Sequence, residues 1–229
     1  MTTRYAIYYA PRADSTLWEK ASAWLGYDAY AGEVVARAAP AGLQDLDLDT
    51  LTQDPKGYGF HGTLKAPFEM AAWRTEAELL DQVARSAVRL PAFEVPIAPA
   101  ALGRFLAFQL GHPSPEMQAL HALCVRDFDG FRAPPSDADL ARRRKAPLTP
   151  EQDARLVEWG YPYVFEDFRF HMTLTSAIRD EALRARVLAA LTDHFAAETG
   201  PHLFDGLAVF KQDDRQAPFR ILQRSDFSA

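Results

Sequence analysis

The sequence predicts an α+β fold of two similar lobes related by an approximate two-fold axis. Three observations lead there. The phrase Phe-His-x-Thr-Leu occurs twice, as FHGTL at 60–64 and FHMTL at 170–174. Each copy sits in a β-like segment followed by a helical pattern and then a strand pair, a weak internal repeat. The chain has 229 residues, 48% of them hydrophobic, enough for one two-lobed domain over 1–229 with a shared core.

Residues 4–10 (RYAIYYA) are rich in β-forming aromatics and stop at Pro11, which predicts a strand. Asp14 or Ser15 then caps a helix, TLWEKASAWLG, ended by Gly26. Residues 28–57 read as polar and irregular, with one short helix around Leu43, Leu46, Leu48 and Leu51. The Asp residues there lack the Gly and distal Glu of a calcium loop and read as a solvated face. YGFHGTLKAPF predicts a strand closed by Pro67, followed by a helix at 75–90 and two strands, FEVPIAPA and LGRFLAFQL. A helix at 115–128 opens the second half, then a basic, Pro-bounded loop (RAPPSDADLARRRKAPLTP) and a helix, EQDARLVEWG. DFRFHMTLTSAI is the second motif's strand, with a helix at 180–197 and two final strands, HLFDGLAVFKQ and FRILQRS.

Bulk properties limit the function. The formal net charge is −6, which argues against general nucleic-acid binding but allows a small phosphate ligand in a locally basic cleft. The single cysteine, Cys124, excludes an intrachain disulfide and a Cys-based metal framework; its apolar surroundings (MQALHALCVRDF) read as buried filler. The N-terminus lacks a signal-peptide pattern, and no apolar run approaches a membrane span. The expected setting is the cytoplasm, without a membrane. No P-loop or dinucleotide fingerprint is present, so no cofactor is expected.

Strand alternation turns the repeated phrase into chemistry. His61 and Thr63 share one face, as do His171 and Thr173, while Phe60, Gly62, Leu64, Phe170, Met172 and Leu174 take the other. If both strands line one cleft, two imidazoles face each other with a hydroxyl beside each. A neutral ring can take a proton from an attacking water or hydroxyl, and a protonated ring can give one to a leaving oxygen. Each such partner contributes about 10²–10⁴ in rate, and the threonines can hold the oxygens of a phosphoryl group. Two histidines without a third ligand in the phrase make a poor zinc site, so no metal is expected. The near-symmetric motif does not distinguish base from acid.

The paired His-x-Thr motifs resemble those of the two-histidine phosphoesterase superfamily, which includes 2′–5′ RNA ligase-like and cyclic phosphodiesterase proteins. RYAIYYAP, YGFHGTLKAPF and EWGYPYVFEDFRFHMTLTSAI look like the branch often encoded with carbon–phosphorus lyase genes for phosphonate use. The resemblance covers nearly the whole chain. It implies antiparallel sheets around a central cleft with helices on the outer faces, and metal-independent phosphoesterase chemistry. It implies His61 and His171 as the acid–base pair, Thr63 and Thr173 as phosphate holders, and a small cyclic phosphate of ribose or a nucleotide as substrate. RNA-end or 2′–5′ linkage processing, and phospho-ligand binding without turnover, are the alternatives.

Period two adds Lys65 and Arg169 to the catalytic faces as cations that offset phosphate charge. Tyr5 and Tyr8 point to opposite faces of the first strand, so one of them, taken as Tyr8, can line the cleft. Arg104 interrupts an apolar strand and Lys211 follows LAVF in the other half, similar settings that propose paired phosphate or ribose contacts. The run Arg142–Lys145 reads as a solvated loop, or alternatively as one that closes over a phosphorylated ligand. His112, His121, His194 and His202 lack the paired setting and read as surface or helix residues.

Overall fold

Side-chain caps start the helices, and left-handed glycines stop two of them. In the computed structural model, which describes residues 2–37 and 39–228, α1 (Thr16–Leu25) begins where the Ser15 side chain accepts from the Trp18 amide and ends at Gly26, with φ 74°. Thr75 and Thr149 build reciprocal capping boxes at α3 (Glu76–Ala87) and α6 (Pro150–Trp159). Ser114, Ser136 and Asp180 cap α4 (Pro115–Asp127), α5 (Asp137–Arg143) and α7 (Glu181–His194), and Asp47 caps α2 (Leu48–Lys56). The basic stretch expected as a loop thus contains the short helix α5, which its Ser136 cap and acidic first turn support.

The strands are β1 (Arg4–Tyr9), β2 (Gly62–Glu69), β3 (Phe93–Leu102), β4 (Phe105–Leu110), β5 (His171–Thr173), β6 (Gly200–Phe204), β7 (Gly206–Gln212) and β8 (Arg220–Asp226). They form one sheet in the order β6-β3-β4-β5-β2-β1-β7-β8, every neighbouring pair antiparallel. Only Asp205 separates β6 from β7, yet the two strands lie six places apart in the sheet. In a flat sheet that distance would be about 29 Å, against about 7 Å for the two chain steps from Phe204 to Gly206. The sheet therefore curls into a half-barrel. Contacts across the gap agree: the Tyr9 hydroxyl of β1 is hydrogen-bonded with His202 Nε2 of β6 at 2.6 Å, and the Ser228 amide donates to the Leu90 carbonyl at 2.9 Å.

The two-fold relation is present, but the lobes interleave. β2 and β5 meet at the centre, and β1-α1-β2-α3 is matched by β4-α4-β5-α7. One later strand of each repeat crosses over. β3 joins β4 and β5, and β7 joins β1 and β2. Helix α3 packs on β7 and β8, and α7 on β3 and β4. The expected single strand HLFDGLAVFKQ is accordingly two, broken at Asp205, because its halves serve opposite ends of the curl.

Two further strand expectations change. The strand continues through Pro67 to Glu69, since the pairing register with β1 passes from Lys65 to Phe68 and asks no amide of Pro67. β5 is only three residues long, because the chain before it runs through a helical turn at Phe165–Asp167 instead of extended backbone. Among the described residues, no helix is long and apolar enough to cross a membrane.

Candidate active site

The site starts from one backbone pairing. Gly62 of β2 lies opposite Met172 of β5. One step either way along that antiparallel register sets His61 across from Thr173, and Thr63 across from His171. Alternation puts all four side chains on one face, while Phe60, Leu64, Phe170, Met172 and Leu174 are buried on the other. Neighbouring strands extend the same face: Ala107 and Gln109 of β4 pair with Thr173 and His171, and Tyr8 of β1 pairs with Thr63.

Both rings are held the same way. His61 Nδ1 donates to the Gly59 carbonyl at 2.9 Å, and His171 Nδ1 donates to the Arg169 carbonyl at 2.8 Å. In each case the acceptor is the residue two positions earlier, so each ring presents Nε2 to the cleft. Thr63 Oγ1 lies 3.3 Å from His61 Nε2. Tyr8 stacks on His61 with centroids 3.9 Å apart, and Phe105 lies 5.7 Å from the ring of His171. Burial pushes His61 down to about 4; the Gly59 carbonyl opposes this and the nearby His171 adds to it. Burial also lowers His171, against the pull of the Arg169 carbonyl.

Two hollows adjoin at Thr63, Ala66 and Tyr161. One, of ≈ 240 Å³, holds His61, Thr173 and Tyr8; the other, of ≈ 370 Å³, holds His171 and the rim residue Arg169. Tyr8 and Arg169 thus join the four motif residues. The other cations do not. Lys65 is buried on the far side, where its ammonium donates to the Val125 carbonyl at 3.0 Å and to Asp129 at 2.9 Å. Extra residues in β2 relative to β1, between the pairs Tyr5–Phe68 and Tyr8–Thr63, break the alternation and turn it there. Arg104 lies not in a strand but in the two-residue turn between β3 and β4, beside Gly103 at φ 60°. Lys211 is on the helix-covered face, where its ammonium pairs with Glu76 of α3 at 2.7 Å.

Other neighbours of the cleft escaped the sequence reading. Tyr58 stacks on Phe219 at 5.2 Å and lies 5.9 Å from His61, while Tyr161 borders both hollows with Arg143 over its ring at 4.8 Å. Their signal was faint: aromatics flanking each motif, and a basic run two helices away. His121 lies in helix α4, as the helix reading had it, but it is buried there. It is 3% exposed, and its Nδ1 donates to the Leu64 carbonyl at 2.8 Å while Nε2 accepts from the Phe165 amide at 3.1 Å. His202 is likewise half-buried against Tyr9. Cys124 is fully buried, and burial raises its thiol pKa. No group of three or more His, Cys, Asp or Glu side chains able to hold a metal occurs among the described residues.

An open face that carries two imidazoles and two hydroxyls has the groups that acid–base work on an oxyanion requires. The family model described as "Protein of unknown function (DUF1045)" matches residues 63–220, and the chain belongs to that family. It is 39% identical, over 99% of its length, to the ribose 1,5-bisphosphate phosphokinase PhnN of Janthinobacterium sp. (strain Marseille), and covers 51% of that protein. It is 35% identical to the PhnN of Laribacter hongkongensis (strain HLHK9), with 95% of this chain and 50% of the relative covered. The chain thus spans about half the length of the curated relatives it matches. Among solved structures, E. coli LigT complexed with 3′-AMP aligns over 100% of both chains at 14% identity and a TM-score of 0.48. A structure described as a phosphoesterase aligns at 12% identity over 100% of both chains, with a TM-score of 0.45.

Proposed function

We propose that this chain is a two-histidine phosphoesterase that opens a small cyclic phosphate on a ribosyl or nucleotide substrate. The observation that carries the reading is the central register, which lays His61 across from Thr173 and Thr63 across from His171 on one open face. A phosphate seated between the rings meets a hydroxyl and an imidazole from each strand.

In this reading one neutral imidazole takes a proton from water at Nε2 as the water oxygen bonds to phosphorus. The opposite imidazole, protonated, gives its proton to the leaving ring oxygen as the phosphorus–oxygen bond breaks. One water is consumed, and the cyclic diester becomes a phosphomonoester with a free hydroxyl. The carbonyls behind each ring fix its tautomer, so the proton moves at Nε2. Burial alone keeps both rings neutral at pH 7, and the negative charge of a bound phosphate raises them, which supplies the acid. Thr63 and Thr173 donate to the non-bridging oxygens.

The names of the longer relatives support a ribosyl phosphate. The kinase activity in those names belongs, in this reading, to the half that this chain does not span, because its sequence lacks the glycine–lysine loop that cradles a nucleotide's phosphates.

Phosphorus NMR of EDTA-treated protein with ribose 1,2-cyclic phosphate and 2′,3′-cyclic nucleotides tests the proposal. Wild type converts at least one of them. His61→Ala and His171→Ala each lower kcat by about 10²–10⁴ with a smaller change in KM. Full activity in either variant overturns the assignment.

A further inference from the structure

Next to the histidine cleft lies a small, strongly cationic pocket that the phosphoester chemistry does not use. It has a volume of ≈ 80 Å³, and Pro67 and Arg143 border both it and the His61 hollow. Five arginines line it, Arg4, Arg132, Arg142, Arg143 and Arg215, against two carboxylates, Glu69 and Asp139. In a chain of net charge −6 that is a local inversion of sign.

The two carboxylates are already engaged. Asp139 accepts from Arg142 at 2.8 Å and from Arg215 at 3.1 Å, and Glu69 accepts from Arg215 at 2.9 Å. Arg132 pairs with Asp129 at 2.9 Å, outside the pocket. Arg4 and Arg143 have only neutral partners among the described residues. Arg4 Nε donates to Gln212 Oε1 at 2.8 Å with its guanidinium 5.5 Å from the Phe219 ring, and Arg143 lies over Tyr161. Arg4 is half-buried; burial lowers its pKa, and the positive charges of Arg215 and Arg142 add to that. Holding these cations together costs free energy that an anion between them recovers.

Position ties the pocket to the cleft. Arg4 and Tyr8 pair with Gln212 and Ala208 in one unbroken antiparallel register, so both point to the same face of β1, and Tyr8 stacks on His61. The pocket is small, and planar guanidinium forks suit the oxygens of a phosphate.

We propose that this pocket is a second-anion subsite, which takes a terminal phosphomonoester of the molecule whose reacting phosphate lies between His61 and His171. The proposal rests on the phosphoester reading of the histidine cleft. It makes the preferred substrate class a compact molecule with two phosphate groups.

Calorimetric titration of the full chain at low salt with adenosine 3′,5′-bisphosphate and with 3′-AMP tests it. The two probes differ only in the second phosphate. Wild type binds the bisphosphate at least tenfold more tightly, and Arg4→Gln and Arg142→Gln each bring that ratio close to one. Arg142 is a surface side chain, 47% exposed, so its substitution reads the pocket without unfolding the protein; a thermal melt checks both variants. Equal affinity of wild type for the two probes, a ratio that survives both substitutions, or binding of neither probe overturns the subsite. Turnover of a cyclic phosphate is measured on the same samples. Turnover without a bisphosphate preference sinks the subsite and leaves the phosphoesterase. A preference that both substitutions abolish, without turnover, keeps the subsite and sinks the chemistry.

Discussion

Gly62 and Met172 occupy the same place in the two motifs, and one ring explains why they differ. A Cβ on Gly62 would lie 2.4 Å from the Phe170 ring, which packs against the strand at that point. Gly62→Ala therefore overpacks the back of the site, at a cost of about 1–3 kcal/mol. The expected result is a lower Tm, with most of the loss restored in Gly62→Ala/Phe170→Leu; an unchanged Tm in the single variant contradicts the packing. Lys65 makes the opposite case, a residue three positions on that looks catalytic and is structural. Lys65→Met leaves Asp129 to Arg132 alone, and urea unfolding should show a loss of about 3 kcal/mol. The surviving folded protein keeps its kcat; a selective loss of kcat would return Lys65 to the site. The two residues mark what a sequence displays at this scale. His61, Thr63, His171 and Thr173 were legible because strand period two holds through both motifs. Lys65 was not, because the extra residues that turn it away exist only in the pairing of β2 with β1. Lys211 fell on the wrong face for a simpler reason: period two divides a strand's faces but does not say which of them the helices cover.

At the scale of elements, the motif strand of each repeat is tied down by the first helix of the other repeat, by the same device. The Leu64 carbonyl accepts from His121 Nδ1 of α4, and the Leu174 carbonyl accepts from Trp24 Nε1 of α1 at 2.7 Å. His121 does more than Trp24, because its Nε2 also accepts from the Phe165 amide and its ring stacks on Phe168 at 3.7 Å. It thereby fixes the segment that carries Tyr161 into the cleft. Phe165 is the one non-glycine residue with positive φ, 56°, among those described, a backbone state that the surrounding contacts must hold. In His121→Phe, amide exchange across residues 161–168 should accelerate, read by mass spectrometry, while exchange in α7 stays as it was. Unaltered exchange in 161–168 would show that the ring merely fills space. The repeat and the helices other than α5 were legible from caps and periodicity. The split of β6 from β7 and the interleaving of lobes were not, since they follow from the curl of the whole sheet and no local residue pattern encodes which edge a strand joins.

For the molecule as a whole, three partly or fully buried histidines couple folding to pH. His61, His121 and His202 are each held at about 4, in every case first by burial. The Gly59 and Leu64 carbonyls and Asp205 pull the other way for the three in turn, and nearby His171 and Lys65 add to the lowering of His61 and His121. Their folded values lie below the ordinary 6.5 of the unfolded chain, so between 6.5 and 4 the unfolded state binds more protons. Stability from these groups is therefore complete above pH 6.5 and is lost as pH falls toward 4. Each proton contributes a slope of about 1.4 kcal/mol per pH unit, so three give about 4 kcal/mol per unit where all are titrating. As pH falls from 6.5 toward 4, that slope removes a large share of an ordinary domain's stability of about 5–15 kcal/mol. Urea melts at pH 8, 7, 6 and 5 should show a plateau followed by that fall, and His202→Gln should reduce the slope by about one proton. Phosphate should oppose it, because an anion between His61 and His171 favours their protonated forms, and its stabilising effect should grow as pH drops from 8 to 6. A midpoint that stays flat from pH 7 to pH 5 without ligand would mean that these rings titrate in the fold as they do in the unfolded chain, and would overturn the lowering by burial.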